Sequence, residues 1–477
     1  MSPLRMRVAF ASSMMLFSMV GGGCDQSYQG FLGAIPTPER DIASPAHVFL
    51  GIDGMSRRAF DEARARGAFG GWNTADLVTP FPGTSDYSWT RTLHAGSLGG
   101  YELQYFDPVK NRMENDGLGG TVDHLLREGL VDSLPCYARF DFLGDGATWQ
   151  ARSYLDPVST LPGTLDELFD VVAGRARTQT NILAYVIVAD IASHIDGIEP
   201  AVQVLVELDR RIRAFKSAQT RSFEFTLFSD HGNAHIASTL VNARDILTDS
   251  GVTPVDSLDA AADPDTSNAD DAPRAVPVVH VRVSYVALHA AARHVVEIAT
   301  RTSTSPYVDL AVAPIDKANG RYAIWRKGIR HDFQRLADGA VIVERPESWN
   351  WLGVDLSPFT SSDGDGDGAR AHLTDSEAFQ LTLASGYPDI FYRAATAFTD
   401  PTAQYPADIL WSMPDDVASI GFEVPGAGSI RANEGFHGSL SRKATLSVLA
   451  SETTALPNAI RSDDLASRFP ALLGAHP

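Results

Sequence analysis

Short apolar runs alternate along the chain with stretches in which apolar residues recur at helical spacing. Runs typical of buried strands occupy residues 47–52, 182–188 and 223–227. Helical spacing is found at residues 55–63, 165–172 and 201–215. Strands that alternate with helices of this length are typical of an α/β protein built on a parallel sheet, and the pattern predicts that fold class here.

The second half of the chain has a less regular pattern. Residues 239–247 and 286–300 are predicted to be helices, and residues 275–283 and 445–449 to be strands. Further short strands are predicted near residues 308–312, 322–325 and 340–343. These short strands lie together in the sequence, and they indicate a second, smaller sheet.

Acidic residues and histidines follow the predicted strands of the first half. Asp53 follows the first strand, and the Asp230–His231 pair follows the strand at residues 223–227. Asp190 and His194 follow residues 182–188 and, on a helix, would share one face because they are four residues apart. The carboxyl ends of parallel strands border the ligand crevice of α/β proteins, and these side chains suit a divalent metal. Taken singly, an Asp at such a position is more often a capping or turn residue than a ligand.

Composition narrows the possible partners and ligands. The chain has 477 residues, 44% of them hydrophobic, which is enough for a large core. Its net charge of −20 argues against nucleic acid or an anionic membrane surface as a partner. Only two cysteines, Cys24 and Cys136, are present. A disulfide framework or a cysteine-based zinc site is therefore not expected, and any metal would use His, Asp or Glu.

The N-terminus predicts export. Arg5 and Arg7 precede an apolar run at residues 8–20, which is too short to span a bilayer, and Gly21-Gly22-Gly23-Cys24 resembles a bacterial lipobox. We expect a signal peptide at residues 1–23, a lipid on Cys24 and a polar tether at residues 24–45. Loss of the two arginines would make the mature chain −22. The expected location is the cell envelope, lipid-anchored on the periplasmic or extracellular face, with plain secretion as the alternative.

Four further motifs are less specific. The loop at residues 79–90 is rich in hydroxyls, and His437 lies in a glycine-rich turn. Asp363-Gly364-Asp365-Gly366-Asp367 begins like a calcium loop, but its twelfth position is Thr374, not Glu, so a solvated loop is favoured. His231 and His235 are four apart without the Glu of a metalloprotease helix, and His235 is interpreted as structural or supporting.

The order Asp53, Asp190, His194, Asp230–His231 and His437 resembles the alkaline phosphatase superfamily, especially its nucleotide pyrophosphatase/phosphodiesterase-like and phosphoglycerate mutase-like branches. The resemblance covers most of residues 46–250 and about 430–450. It implies a three-layer α/β/α sandwich around a largely parallel sheet. It also implies one catalytic domain over residues 46–477, with insertions at about 99–162 and 349–433.

The resemblance also implies a two-metal site. Asp190, His194 and His437 would bind one ion, and Asp53, Asp230 and His231 the other. Histidine in both sets favours zinc over magnesium, with manganese as the alternative. The family's nucleophile is a Ser or Thr in a loop after the first strand, often three residues after a proline. The spacing from Pro82 favours Ser85, with Thr84 as the alternative.

The implied activity is hydrolysis of a small-molecule phosphoester through a covalent phosphoenzyme, with monoester and diester both open. A sulfatase-like hydrolase is the rival enzyme. The Cys- or Ser-x-Pro-x-Arg motif of sulfatases is absent after both Ser85 and Cys136, which favours a phosphoester. The rival from another class is a non-catalytic envelope lipoprotein that retains the fold.

Overall fold

The structure, a computed structural model, describes residues 44–114, 134–143, 157–258, 272–280, 283–362, 369–419, 430–432 and 435–474. The signal peptide, the lipid site at Cys24, almost all of the tether and the loop at residues 363–367 lie outside these ranges and stay predictions. Within them, none of the helices is both long and apolar enough to cross a bilayer.

The described residues form 21 strands and 12 α-helices. The strands are β1 Ala46–Ile52, β2 Asn73–Val78, β3 Tyr105–Asp107, β4 Arg112–Glu114, β5 Asn181–Val186, β6 Phe223–Phe228, β7 Ser238–Val241, β8 Thr253–Pro254, β9 Arg274–Val278, β10 Tyr285–Ala290, β11 Leu310–Asp316, β12 Arg321–Arg326, β13 Ile329–Arg335, β14 Val341–Glu344, β15 Thr360–Ser362, β16 Ala369–Leu373, β17 Ile409–Ser412, β18 Val417–Ser419, β19 Ile430–Ala432, β20 Leu446–Ser451 and β21 Ala459–Arg461. The helices are α1 Arg57–Ala65, α2 Ser85–Thr92, α3 Pro157–Arg175, α4 Val188–Asp196, α5 Ile198–Ala218, α6 Ala243–Asp249, α7 Val295–Thr302, α8 Asp375–Leu383, α9 Ile390–Thr399, α10 Arg442–Thr445, α11 Leu465–Arg468 and α12 Ala471–Gly474.

A six-stranded sheet forms the first half of the molecule, in the order β21-β2-β20-β6-β1-β5. At its end, β1 pairs in parallel with both β5 and β6, so that Ile52 lies beside Val186 and Gly51 beside Phe228. The antiparallel strand β20 joins β6 to β2. The three strands that precede the predicted site residues are therefore parallel neighbours.

The six-stranded sheet is buried on both faces, as its apolar strands predict. Val48, Leu50 and Ile52 pack with helices α1, α3, α4 and α5. Phe49, on the opposite face, belongs to a second cluster that includes α2 and α9. Helices thus cover both faces, which confirms the predicted α/β class.

A ten-stranded sheet lies beyond the α2 and α9 layer, in the order β15-β16-β14-β13-β12-β11-β17-β10-β9-β8. Apart from the β8–β9 pair, its pairings are antiparallel. One face shares the apolar cluster of α2 and α9, and the other packs against α6 and α7. The expectation of a smaller second sheet was wrong, because this sheet has more strands than the first.

In two of the segments predicted to be helices, the first part is a strand and only the second part is a helix. In the segment 286–300, β10 covers the first part and α7 begins only at Val295. The apolar run of β10 lies buried between β9 and β17, where strand pairing decides its conformation. In the segment 239–247, β7 precedes α6 in the same way. Short apolar runs of this kind do not distinguish helix from strand by periodicity.

Candidate metal centre

The ends of β5, β1 and β6 bring four of the predicted site residues together. Asp53 follows β1 directly, and Asp230 and His231 follow β6 after a single residue, Ser229. Asp190 lies in the first turn of α4, which begins two residues after β5. Because the three strands are parallel neighbours, their carboxyl ends meet at one edge of the sheet.

Asp53, Asp230 and His231 form the first cluster. Their ligand atoms lie within 4.8 Å of one another, and all three side chains are buried. The Nε2 atom of His231 is 3.3 Å from Asp53 Oδ1 and 3.4 Å from Asp230 Oδ2. The same nitrogen is therefore the point on which both carboxylates converge.

Asp190, His194 and His437 form the second cluster, again within 4.8 Å and buried. The helical spacing predicted for the first two holds, and His194 Nε2 lies 3.1 Å from Asp190 Oδ2. His437 comes from the distant loop after β19. Its ring stacks on that of His231 with 3.6 Å between centroids, so the two clusters are adjacent.

The turn after Asp53 requires a glycine. Gly54 has a φ of +63°, and a Cβ atom at this position would lie 2.4 Å from Asp190 Oδ1. Its N–H donates to Asp230 Oδ1 at 3.2 Å, and the N–H of Met55 donates to Ser229 Oγ at 3.0 Å. This turn thus ties the end of β1 to the residues after β6.

Burial and like charges shift the pKa values of the site strongly. Burial, with the charge of Asp53 second, raises the pKa of Asp230 to about 8. Burial alone would lower the pKa of His231, but the two carboxylates raise it to about 10. The pKa of Asp190 is held below its usual value by His194, against the effect of burial. The carboxylates of Asp53 and Asp230 thus favour a positive charge at the His231 Nε2 position, on which they converge.

Both clusters suit divalent metal ions. The Nδ1 atoms of His231 and His437 donate to the carbonyl oxygens of Gly232 and Gly83 at 2.9 and 2.8 Å. In the neutral imidazole each Nε2 then keeps a lone pair, which is the tautomer seen in metal-ligating histidines. Three further buried atoms make no hydrogen bond: Asp190 Oδ1, His194 Nδ1 and Asp230 Oδ2. Unpaired polar atoms are costly in a buried site, and a cation would satisfy the carboxylate oxygens.

Ser85 and Thr84 have different surroundings. The Oγ of Ser85, the first residue of α2, lies 3.3 Å from Asp53 Oδ1 and 3.2 Å from His231 Nε2. Thr84 is 1% exposed, and its hydroxyl donates to the carbonyl oxygen of Tyr101 at 2.9 Å. Of these two hydroxyls, that of Ser85 borders a cluster and that of Thr84 does not.

His235 lies beside the centre but in neither cluster. Its Nε2 is 2.7 Å from the hydroxyl of Ser56, which caps the N-terminus of α1.

Two arginines lie at the start of α1, shortly after Asp53. Arg58 is exposed and pairs with Glu62 at 3.1 Å. Arg57 pairs with Asp61 and Asp76 at 2.8 and 2.7 Å. Both arginines are therefore paired with carboxylates.

Sequence reasoning missed three residues around the centre. The hydroxyl of Tyr185 donates to Asp53 Oδ2, and the hydroxyl of Tyr137 donates to Asp86 Oδ1 at 3.3 Å. Tyr185 lies in an apolar strand and Tyr137 in an aromatic-rich stretch, and both segments resemble core, so no local signal marks either tyrosine. Arg393 contacts the loops of Ser85 and His437 from α9. The feature of the sequence that could have identified Arg393 is that it is a single charged residue in the apolar run Ile390–Thr399.

No protein-family model matches the chain, and no curated protein matches it. Solved structures similar to it include murine ectonucleotide pyrophosphatase/phosphodiesterase 5, with 11% identity, 91% of this chain and 96% of that chain covered, and a TM-score of 0.43. Phosphonoacetate hydrolase from Sinorhizobium meliloti 1021, in complex with phosphonoformate, has 13% identity, the same coverage and a TM-score of 0.42. A mutant of the alkaline phosphatase PafA has 11% identity, coverage of 92% and 96%, and a TM-score of 0.39. At these values, function has to be inferred from this chain's own residues.

Proposed function

We propose that this chain is an alkaline phosphatase-like, metal-dependent phosphoester hydrolase with Ser85 as its nucleophile. One observation carries the proposal: the Ser85 hydroxyl borders a buried cluster of two carboxylates and an imidazole that has a second such cluster beside it. A nucleophilic oxygen next to two divalent sites is the arrangement expected for phosphoryl transfer. Three protein ligands for each ion are typical of catalytic rather than structural zinc.

The two ions would be held by the two clusters, Asp53 with Asp230 and His231, and Asp190 with His194 and His437. Bound there, divalent ions supply positive charge that stabilises the attacking and leaving oxygens of an in-line displacement. Zinc is proposed because each cluster contains imidazole. The acidic chain gains in this way the local positive charge that an anionic substrate needs.

The protein's own part is to place Ser85 and receive the phosphoryl group. The Ser85 hydroxyl donates to Asp53 Oδ1, which holds its proton on the side of the cluster. Ser85 is also the first residue of α2, where backbone N–H groups without helical partners favour a phosphate oxygen. Attack of Oγ on phosphorus breaks the bond to the leaving oxygen, which takes a proton from solvent, while the Oγ proton leaves on the side of Asp53. A monoester gives phosphoserine, which water hydrolyses to phosphate, and a diester gives an ester of phosphoserine, which water hydrolyses to a phosphomonoester.

Asp86 favours a diester substrate. It follows Ser85 and is partly buried, and burial together with the charge of nearby Glu102 raises the pKa of Asp86 to about 7. Glu102 Oε2 lies 2.8 Å from the Nδ1 atom of His280. A carboxyl group next to the nucleophile repels a dianionic monoester more strongly than a singly charged diester.

The test uses the purified protein with zinc or manganese and four measurements. Bound metal is counted, and hydrolysis of bis-p-nitrophenyl phosphate, p-nitrophenyl phosphate and p-nitrophenyl sulfate is followed. We expect two ions per chain and the highest kcat/KM for the diester. Two bound ions without turnover of any ester would support the non-catalytic alternative, and preference for the sulfate would support a sulfatase-like hydrolase.

A further inference from the structure

Arg393 is a buried cation whose donors all go to backbone carbonyl oxygens. It lies on α9 and is 2% exposed. Its Nε donates to Thr79 O at 2.8 Å, Nη1 to Pro388 O and Leu440 O at 3.3 and 3.1 Å, and Nη2 to Pro80 O and Ser439 O at 3.3 Å each. A guanidinium has five N–H groups, and all five are used here.

Four of the five acceptors belong to two segments that carry predicted site residues. Thr79 and Pro80 begin the segment that runs from β2 to Ser85 at the start of α2. Ser439 and Leu440 follow His437 in the second segment. The fifth acceptor, Pro388, lies just before α9 itself. Arg393 therefore joins the approach to the nucleophile with the loop of a candidate metal ligand.

Few direct contacts hold these two segments in register near the site. His437 Nδ1 donates to Gly83 O at 2.8 Å, and the N–H of Gly83 makes a long contact of 3.4 Å to Gly438 O. Farther away, the Thr79 hydroxyl donates to Thr445 O at 2.9 Å. The four bonds from Arg393 to the two segments are the charge-assisted part of this junction.

A buried guanidinium that faces no carboxylate loses its hydration without gaining an ion pair, so stability alone does not explain its presence. Burial lowers the pKa of Arg393 to about 9, with nearby Asp389 acting in the opposite direction. Arg91 on α2 is equally buried, with a side chain 4% exposed, but pairs with Asp463 and Asp400 at 2.5 and 3.2 Å. The two arginines differ in what they contact: Arg91 neutralises carboxylates, whereas Arg393 orders backbone.

We propose that Arg393 is a positioning residue that fixes the His437 loop against the Ser85 segment and so sets the geometry of the Asp190–His194–His437 cluster. The inference rests on the proposed function only in taking this cluster as a metal site. His437 belongs to that cluster alone. A change at Arg393 should therefore weaken one ion's binding and leave the other's nearly unchanged.

The experiment compares Arg393→Lys with Arg91→Lys in the full chain. Affinity for each zinc ion is measured by calorimetry, kcat and KM are measured with bis-p-nitrophenyl phosphate, and the midpoint of thermal unfolding is recorded. For Arg393→Lys we expect one of the two ions to bind at least about 10-fold more weakly, with kcat lowered about 10- to 100-fold and KM changed far less. Arg91→Lys should lower the unfolding midpoint while both ions bind as in the unchanged protein.

If Arg393→Lys binds both ions normally and only its unfolding midpoint falls, the inference is overturned, because the role is then structural. Should the lysine variant fail to fold, Arg393→Gln carries the same test, since it removes the buried charge and keeps two donors. Absence of folded protein from both variants would also overturn it, because Arg393 would then serve folding. Failure of the proposed function is separate: it is two bound ions without ester hydrolysis in the unchanged protein.

Discussion

Two groups of charged side chains differ in what their carboxylates face. In the strand-end clusters, defined by the six candidate metal ligands, Asp53 and Asp230 face each other and one imidazole. In a second group, called here the arginine network, Arg91 and Arg461 face carboxylates. Its ion pairs are Arg91 with Asp463 and Asp400, and Arg461 with Asp389 and Asp375.

This difference in charge compensation indicates that the arginine network stabilises the fold, whereas the strand-end clusters serve function. Arg461 makes two bonds to Asp389, at 2.6 and 3.0 Å, so charge is compensated within the network. In the strand-end clusters the carboxylates instead face imidazoles and one another, and not a guanidinium. Buried carboxylates that a protein does not neutralise itself indicate that something else does. Perturbing each group should therefore change different measured quantities.

The largest effect is expected from Ser85→Ala. Loss of the attacking oxygen should lower kcat for bis-p-nitrophenyl phosphate at least about 10³-fold, because the neighbouring Thr84 hydroxyl is bonded to Tyr101 O and cannot replace it. Zinc stoichiometry should stay at two ions, because all six candidate ligands remain. Thr84→Ser is the matched control and should retain activity. Full activity in Ser85→Ala with both ions bound would refute the nucleophile assignment.

The next effect is expected from removal of the metal ions with a chelator. At free zinc 1,000 times above the dissociation constant, each site contributes about 4 kcal/mol to the free energy of unfolding, and a chelator abolishes this contribution. We therefore expect a large drop in the thermal unfolding midpoint on chelation, reversed by zinc. In the double variant Asp230→Asn/His437→Ala, which removes one ligand from each cluster, the chelator should have little further effect. An unchanged midpoint in the original chain would contradict the metal sites.

Arg461→Met perturbs the arginine network. It leaves Asp389, whose side chain is 2% exposed, buried without its cation, and we expect a loss of about 3 kcal/mol in urea unfolding. Zinc affinity should not change. Adding Asp389→Asn should restore part of the loss, since asparagine removes the charge and tolerates the positive φ of 53° at this position. Weakened zinc binding in Arg461→Met would remove the distinction between the two groups.

The strand-end clusters were predictable because their signals are local. Asp53 and the Asp230–His231 pair each follow a buried strand, and parallel pairing alone brings such positions together. Asp190 and His194 needed only a helix of correct spacing. The partition into two groups of three came from the resemblance, because His437 reaches the site through a loop whose path no periodicity describes.

The arginine network had no such signal. Arg91, Asp389 and Arg461 lie far apart in sequence, and each alone resembles a surface residue. The same holds for β10, which is a strand because β9 and β17 flank it, although its apolar run fits a helix equally well. Contacts set by tertiary pairing, including those of Arg393, depend on the path of the whole chain.

A smaller effect is expected from a buried histidine outside both groups. His289 on β10 is 5% exposed, and burial lowers its pKa to about 4. Between about pH 4 and 6.5 the unfolded chain binds the proton more readily, so His289 makes the folded state less stable as pH falls through this window. The ceiling is about 3 kcal/mol, less the attraction of the protonated ring to Asp408, 3.8 Å away.

His289→Gln should reduce the pH dependence. We expect the difference in the free energy of unfolding between pH 7.5 and pH 4.5, measured in chelator, to shrink by about 2 kcal/mol. His294→Gln is the control, because its ring is less buried and lies beside Glu297 at 3.6 Å. Equal slopes in His289→Gln and the original chain would show that the neutral form of this imidazole is not favoured by folding.

The smallest effect concerns substrate choice. Asp86→Asn removes a carboxyl group next to Ser85, and we expect kcat/KM for p-nitrophenyl phosphate to rise about 3- to 10-fold relative to the diester, which corresponds to about 1 kcal/mol. Glu62→Gln, which changes the net charge equally on an exposed face of α1, should leave the ratio unchanged. The gap between Asp86→Asn and the original chain should widen as pH rises through about 7, because Asp86 repels the monoester only when ionised. A ratio that Asp86→Asn does not change at pH 8.5 would mean that the clusters, and not Asp86, decide between monoester and diester.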